Sequence, residues 1–305
     1  MSVLYPARLL RAARLSRALL VTTLVAALTG AAAAGESGLP AAAGTPTLVA
    51  WAPGFPGSTK EAQPTMDALA AAVAAAAKLP PGGFAAVYQE TERGGLARLQ
   101  QPDAALAMVS LPAFLKYEKE LGLVPRLAVL QAGASDASEV WSLVAGAGRV
   151  KSAADLEGWQ LVSGASYAPR FVRGPALGGW GVLPAGVTLA PAGAVLSALR
   201  RAAAGEKVVL LLDREQAASI ATLPFAKDLE TVTRSAPLPG ALLCTVRGRL
   251  PDVQATALVQ AFAGLAARPE AAAALAGVRI ARFVPLDEAV LKRARAAYDA
   301  VKDAP

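Results

Sequence analysis

Short apolar runs recur along this chain, and most are followed by a stretch with helical spacing. Thr47–Ala52, Phe84–Gln89, Ala104–Val109 and Pro125–Gln131 predict strands. Glu61–Leu79, Glu92–Gln100 and Ala113–Glu120, set between them, predict helices. The later part repeats the alternation. Strands are expected at Val140–Ala145, Trp159–Val162, Val187–Leu189, Lys207–Leu212, Leu229–Arg234 and Ala241–Val246. Helices are expected at Ser152–Leu156, Ala192–Ala204 and Arg214–Ala218, with a non-strand segment at Tyr167–Leu177. The C-terminal stretch reads as helix throughout, over Pro251–Ala266, Pro269–Leu275 and Leu286–Val301. Ala-rich stretches such as 68–77 favour helix by composition alone, and the Ala/Leu faces of 68–78 and 255–266 have the spacing of core stripes. No internal repeat is present.

Strands alternating with helices argue for α/β layers built largely on parallel strands. There are too many strands for one small sheet, so two lobes are expected. The first would comprise 47–140 and 241–305, the second 141–240. The chain then crosses between lobes near 141–160 and again near 230–245, with Val140–Ala145 as a hinge crossing. Ligands in such architectures bind beyond the carboxyl ends of strands, in the cleft between lobes.

The N-terminus stands apart. Arg8, Arg11, Arg14 and Arg17 precede the apolar run Ala18–Leu28, and Ala31–Ala34 offers small-residue cleavage positions. That is the pattern of a cleavable secretory signal over 1–34, followed by a flexible Gly/Ala/Pro leader over 35–46. The apolar run is too short for a membrane span. Periplasmic export is therefore expected. The whole chain carries a net charge of +7, of which the four signal arginines supply four, leaving +3 for the exported part. The basic balance is mostly the export signal, so a nucleic-acid partner is not expected.

Candidate chemistry is thin. Cys244 is the only cysteine and lies in the apolar run Ala241–Val246, where a buried strand residue is expected. There is no histidine. Disulfides, cysteine metal sites, histidine metal sites and Ser-His-Asp catalysis are all excluded by composition. Any acid or base would have to be Asp, Glu, Lys or Tyr, and no motif pairs them. A non-enzymatic protein without a cofactor or metal is expected.

The stretch Glu139–Tyr167 is the most informative. Its second strand breaks into Ser163-Gly164-Ala165-Ser166-Tyr167. A Ser/Gly turn after a buried strand can present hydroxyls and backbone N–H groups to an anion. Ser163, Ser166 and Tyr167, with the N–H groups of Ala165 and Ser166, are the leading candidates. Ordinary helix capping uses the same geometry. Ser152 and Asp155 form a capping box with no ligand role expected. Asp213 ends the strand Lys207–Leu212 and either meets a ligand or caps the next helix. Trp51 is a candidate cleft wall beside Pro53-Gly54, while Phe55 and Trp141 are as readily core residues. Arg170 and Arg173 could face an anion or line a solvated helix face.

Five segments, taken in order, resemble the phosphate/phosphite/phosphonate-binding components of ABC transporters, type 2 periplasmic binding proteins. Asp103–Phe114 is similar to the strand and Gly/Pro-aromatic segment of lobe one. Trp141-Ser142 with Lys151-Ser-Ala-Ala-Asp-Leu-Glu-Gly158 resembles the crossing strand and the x-Ser-x-x-Asp-Leu-x-Gly helix. Ser163-Gly-Ala-Ser-Tyr-Ala-Pro169 is similar to the Ser/Thr-rich turn, Gly205–Asp213 to the strand ending in aspartate, and Thr233–Pro239 to the return segment. The resemblance spans about Thr47 to Tyr298. It implies a two-lobe α/β fold and places Ser110 at the cleft. It further implies a soluble, monomeric binding protein that closes on a small anionic or zwitterionic solute and delivers it to an ABC permease in the inner membrane. Two departures stand out. Gly164-Ala165-Ser166 replaces the family's Ser-Thr-Ser, and Pro191–Leu196 lacks the family's His. A ligand-sensing or partner-binding protein on the same fold is the alternative implied.

Overall fold

A computed structural model describes residues 44–53 and 57–302. The expected signal over 1–34, residues 35–43 of the expected leader and Phe55 lie outside the described residues.

The chain runs β1 (Thr47–Trp51), α1 (Thr59–Ala76), β2 (Ala85–Gln89), α2 (Glu92–Leu99), β3 (Ala104–Ser110), α3 (Leu111–Leu121) and β4 (Leu123–Gln131). Next come β5 (Ser138–Glu139), β6 (Ser142–Gly146), β7 (Gln160–Ser163) and α4 (Pro169–Phe171), which continues as a wide turn of π-helix over Val172–Ala176. Then follow β8 (Thr188–Pro191), α5 (Val195–Ala203), β9 (Val208–Leu212), α6 (Arg214–Ser219), β10 (Leu229–Arg234), β11 (Leu238–Pro239) and β12 (Ala241–Val246). The chain ends with α7 (Asp252–Gly264), α8 (Ala272–Gly277), β13 (Ile280–Pro285) and α9 (Glu288–Asp299).

Two mixed sheets result. The first has order β13-β4-β12-β3-β1-β2, the second β10-β6-β9-β7-β8. In the first, β1 is parallel to both β2 and β3, while β12, β4 and β13 join antiparallel. In the second, β7 is parallel to β8 and β9, and β6 and β10 join antiparallel. Strands buried on both faces are near-continuous in Val, Leu and Ala, as β9 (Val208–Leu212) and β1 show. Cys244 is fully buried in β12.

The chain passes between the sheets twice, and the two passages pair. Ser138–Glu139 and Leu238–Pro239 form a two-stranded antiparallel ribbon. The crossing therefore lies just before Val140–Ala145. Most of that span belongs to β6, which is buried between β10 and β9 in the second sheet.

Three strands have no counterpart in the expected elements: the two-residue β5 and β11 of the ribbon, and β13. β13 pairs antiparallel with β4 at the edge of the first sheet, with only Ile280 and Phe283 of its six residues buried. Arg282 and a two-sided exposure hide this strand from a periodicity reading. Its partner, not its pattern, makes it a strand.

Local signals set several helix starts. Ser58 accepts from Glu61 N at 3.3 Å while Glu61 accepts from Ser58 N at 3.0 Å, a capping box on α1. Asp155 accepts from the backbone of both Lys151 and Ser152 at 2.8 Å. α3 ends at Gly122, whose φ of +61° suits glycine.

Helix α9 lies across both lobes. Its Leu291, Ala294 and Tyr298 are buried in the core. It packs on 172–176 of the second lobe, where Gly174 leaves no room for a Cβ: one would meet the Ala297 carbonyl, with Val301 Cγ2 2.8 Å away. Its Arg295 reaches α3 of the first lobe. One apolar cluster runs from Val49, Phe114 and Tyr117 of the first lobe to Leu143, Phe171 and Leu211 of the second.

Candidate functional site

The carboxyl ends of β1 and β3 in the first lobe and of β7 in the second carry the residues that meet between the sheets. Ser110, the last residue of β3, occupies the N-cap position of α3, yet its hydroxyl makes no capping bond. It lies 3.2 Å from the hydroxyl of Tyr167, which follows β7 in the other lobe. Lys116, in the middle of α3, donates to the Tyr167 carbonyl oxygen at 2.6 Å and to Glu92 Oε1 at 2.6 Å. Tyr117 donates to the same Glu92 oxygen. The Lys116 ammonium also sits 5.2 Å from the Tyr117 ring centroid and 5.8 Å from that of Tyr167.

The cluster is charge-balanced and rich in donors. Lys116 and Glu92 cancel, and each side chain is about a third exposed (31% and 32%). Burial, with a smaller contribution from Glu92, pushes the Tyr167 phenol above its ordinary pKa. Burial and the hydrogen-bonded Glu92 do the same to Tyr117. Both phenols remain neutral donors throughout the physiological range. Such a group of hydroxyls beside an ammonium can bind anionic oxygen.

Each sequence-predicted residue has a definite place. Ser110 and Tyr167 meet. Ser163 is fully buried, and its hydroxyl donates to Leu211 O at 2.8 Å and accepts from Ala165 N at 3.1 Å. The Ala165 N–H is thereby used, and the Ser166 N–H bonds the Ser163 carbonyl at 3.2 Å. These two N–H groups build the turn. The Ser166 hydroxyl is half-buried and makes no hydrogen bond among the described residues. Asp213, beyond β9, caps α6 by accepting from Gln216 N at 2.8 Å, and burial raises its carboxyl pKa. It faces the crossing ribbon, where Glu139 is its electrostatic neighbour.

Trp51 is 1% exposed and lies under α2. Its Nε1 donates to Thr91 O at 3.0 Å, its ring is 5.1 Å from that of Tyr117, and a Cβ at Gly95 would enter the indole. It touches the cluster through Tyr117 and packs as core. Arg173 donates to Leu183 O and Pro184 O at 3.1 and 3.3 Å, and Arg170 stands 4.5 Å over the Tyr298 ring. Both serve packing of the second lobe.

Glu92, Lys116 and Tyr117 escaped the sequence reading. One signal was available. Lys116 stands between buried Leu115 and Tyr117 on a helix whose other lysine, Lys119, is exposed. A lone cation on an otherwise apolar surface must find a partner.

No family model matches this sequence, and no curated protein is significantly similar to it. Solved structures do match. XAC2383 from Xanthomonas citri, bound to ATP, superposes with a TM-score of 0.65 at 18% identity, over 84% of this chain and 97% of that one. A binding protein component of an ABC phosphonate transporter, PA3383 from Pseudomonas aeruginosa, gives 0.56 at 16% identity, over 85% and 91%. The fold is that of a type 2 periplasmic binding protein. PhnD1 from Prochlorococcus marinus, in complex with methylphosphonate, gives 0.54 at 10% identity over 80% and 93% of the two chains. At these identities the likeness is one of fold. The Ser110–Tyr167 contact joins the end of β3 in one sheet to the turn after β7 in the other. Among the described residues, no group of three His, Cys, Asp or Glu side chains is placed to hold a metal, and no helix is long and apolar enough to cross a membrane.

Proposed function

We propose that the chain is an exported solute-binding protein that takes a small anionic or zwitterionic solute, of phosphate or phosphonate type, between its lobes for an ABC importer. The observation that carries this reading is the meeting of Ser110 and Tyr167 across the lobes at 3.2 Å beside the Lys116 ammonium. Ser110 ends β3 and Tyr167 lies in the turn that follows β7, the end of parallel strands where ligands of open α/β sheets sit. Ser166 supplies a hydroxyl that the turn itself does not use. Solute oxygens would replace the contacts these groups make with one another, in a cleft that excludes water on closure.

The commitment of Ser163 and of the Ala165 and Ser166 N–H groups to the turn favours a second reading, a sensing or partner-binding protein whose cleft has diverged. The experiment is a thermal-shift screen with phosphate, phosphite, methylphosphonate, sulfonates and amino acids, followed by calorimetry on any binder. A true ligand at a hundredfold excess over Kd stabilises by about 2.7 kcal/mol. Ser166→Ala is expected to weaken binding by roughly 10- to 100-fold, the worth of one charge-assisted hydrogen bond. Unchanged affinity in that variant removes Ser166 from the site. A screen in which no anion or zwitterion binds overturns the transport reading.

A further inference from the structure

Helix α3 belongs to the first lobe, yet polar groups along its whole length bond to the second. At its start, Ser110 Oγ meets the Tyr167 hydroxyl at 3.2 Å. In its middle, Lys116 donates to the Tyr167 carbonyl at 2.6 Å. Towards its end, Glu118 takes a two-pronged bond from Arg295 of α9, Nε to Oε2 at 3.0 Å and Nη2 to Oε1 at 2.6 Å. The Arg295 guanidinium also lies 5.2 Å from the Phe114 ring of α3.

Helix α9 counts with the second lobe in this arrangement. Its backbone fits against Gly174 at a separation that a single Cβ would destroy. Its Tyr298 lies under Arg170, and Asp299 is 3.8 Å from the same guanidinium. Contact this close moves as one body, because packed interfaces shift between discrete arrangements and do not deform continuously. Opening the lobes therefore leaves α9 on the second lobe and breaks its bonds to α3.

We propose that α3 is a built-in latch that holds the lobes closed without a solute, with Lys116 and Glu118 as its ionic members. Lys116 is neutralised from within its own lobe by Glu92, so its bond to Tyr167 can be released without stranding a bare charge. The Glu118 and Arg295 side chains are 24% and 33% exposed, so water can take over their bonds in the open form. These features suit a reversible tie. This inference concerns regulation of the proposed binding cleft, but its test needs no solute.

The test is small-angle X-ray scattering of the purified protein with nothing added. The wild type at low salt should give a radius of gyration near the roughly 18 Å of a compact chain of this length. Lys116→Met with Glu118→Gln should give a larger value, at circular dichroism matching the wild type. Raising salt to about 1 M, where the Debye length falls to about 3 Å, should expand the wild type towards the double variant and leave the variant unmoved. A folded double variant as compact as the wild type overturns the latch. If the double variant does not fold, Glu118→Gln alone and the wild-type salt series decide, and a radius constant in both overturns it. A protein that opens as expected but binds none of the screened solutes keeps the latch and loses the transport reading. The reverse outcome keeps the transport reading alone.

Discussion

Removing the Ser163 hydroxyl is the sharpest test of how the candidate turn is built. In Ser163→Ala, two bonds vanish together, the 2.8 Å donation to Leu211 O and the 3.1 Å acceptance from Ala165 N. Leu211 lies in β9, which pairs with β6 and β7, and its carbonyl loses the hydroxyl donor. The Ala165 N–H is different. It belongs to a residue only 1% exposed, and water cannot replace the lost acceptor. A buried donor left unpaired costs about 1–3 kcal/mol, and the hydrogen bond to Leu211 adds about 1 kcal/mol. The total, about 2–4 kcal/mol, should be read by urea denaturation as a lower midpoint at unchanged slope. For a chain of this size each kcal/mol moves Tm by about 2–4 °C, so the fall should be about 4–16 °C. A loss below about 0.5 kcal/mol would refute the reasoning, since that is the level of an ordinary surface change. It would show that the turn holds its shape without Ser163, and that its hydroxyl is spare for a ligand.

Two further outcomes follow from the geometry. Gly174→Ala forces a Cβ against the Ala297 carbonyl and Val301 and should cost about 1–3 kcal/mol by overpacking, with α9 pushed off residues 172–176; hydrogen exchange should show α9 losing protection first, and equal protection would contradict the close fit. Glu139, in the crossing ribbon, has its pKa raised by burial first and by Asp213 beside it, against the opposing bonds from Arg214 N at 2.7 Å and Val140 N at 3.0 Å and the Arg214 charge. A carboxyl raised in the folded state binds its proton more tightly there, so its contribution is full below the unfolded value of about 4.3 and is lost as pH rises through the folded value. The stability of the wild type relative to Glu139→Gln should therefore fall as pH rises from about 4 towards neutrality; urea midpoints at stepped pH measure it, and a difference that grows with pH contradicts the assignment.

Much of the architecture was legible in the chain. The all-apolar β9, the alternation of short strands with capped helices and the buried Cys244 each follow from residues adjacent in sequence. The capping box at Ser152–Asp155 was legible for the same reason: both partners lie within one turn. The central strand β12 was also visible as an apolar run. Asp213 had two readings at the sequence level, and the structure shows its carboxylate capping α6. Local pattern cannot separate these, because capping and ligand binding ask for the same acceptor beside the same N–H groups.

What the sequence alone determined is the set of elements and the residues that could do chemistry: hydroxyls, few charges and no histidine. The tertiary structure alone decided which of them meet. Ser110 and Tyr167 lie 57 residues apart, Lys116 and Tyr167 51, and Arg295 and Glu118 177. β13 became a strand only through β4, and Trp51 became core only because α2 presents Gly95 over its ring. Periodicity reports how much of one element is covered. Which element covers it depends on the order of strands in each sheet and on two crossings at Ser138–Glu139 and Leu238–Pro239, and those are set by packing of the whole chain.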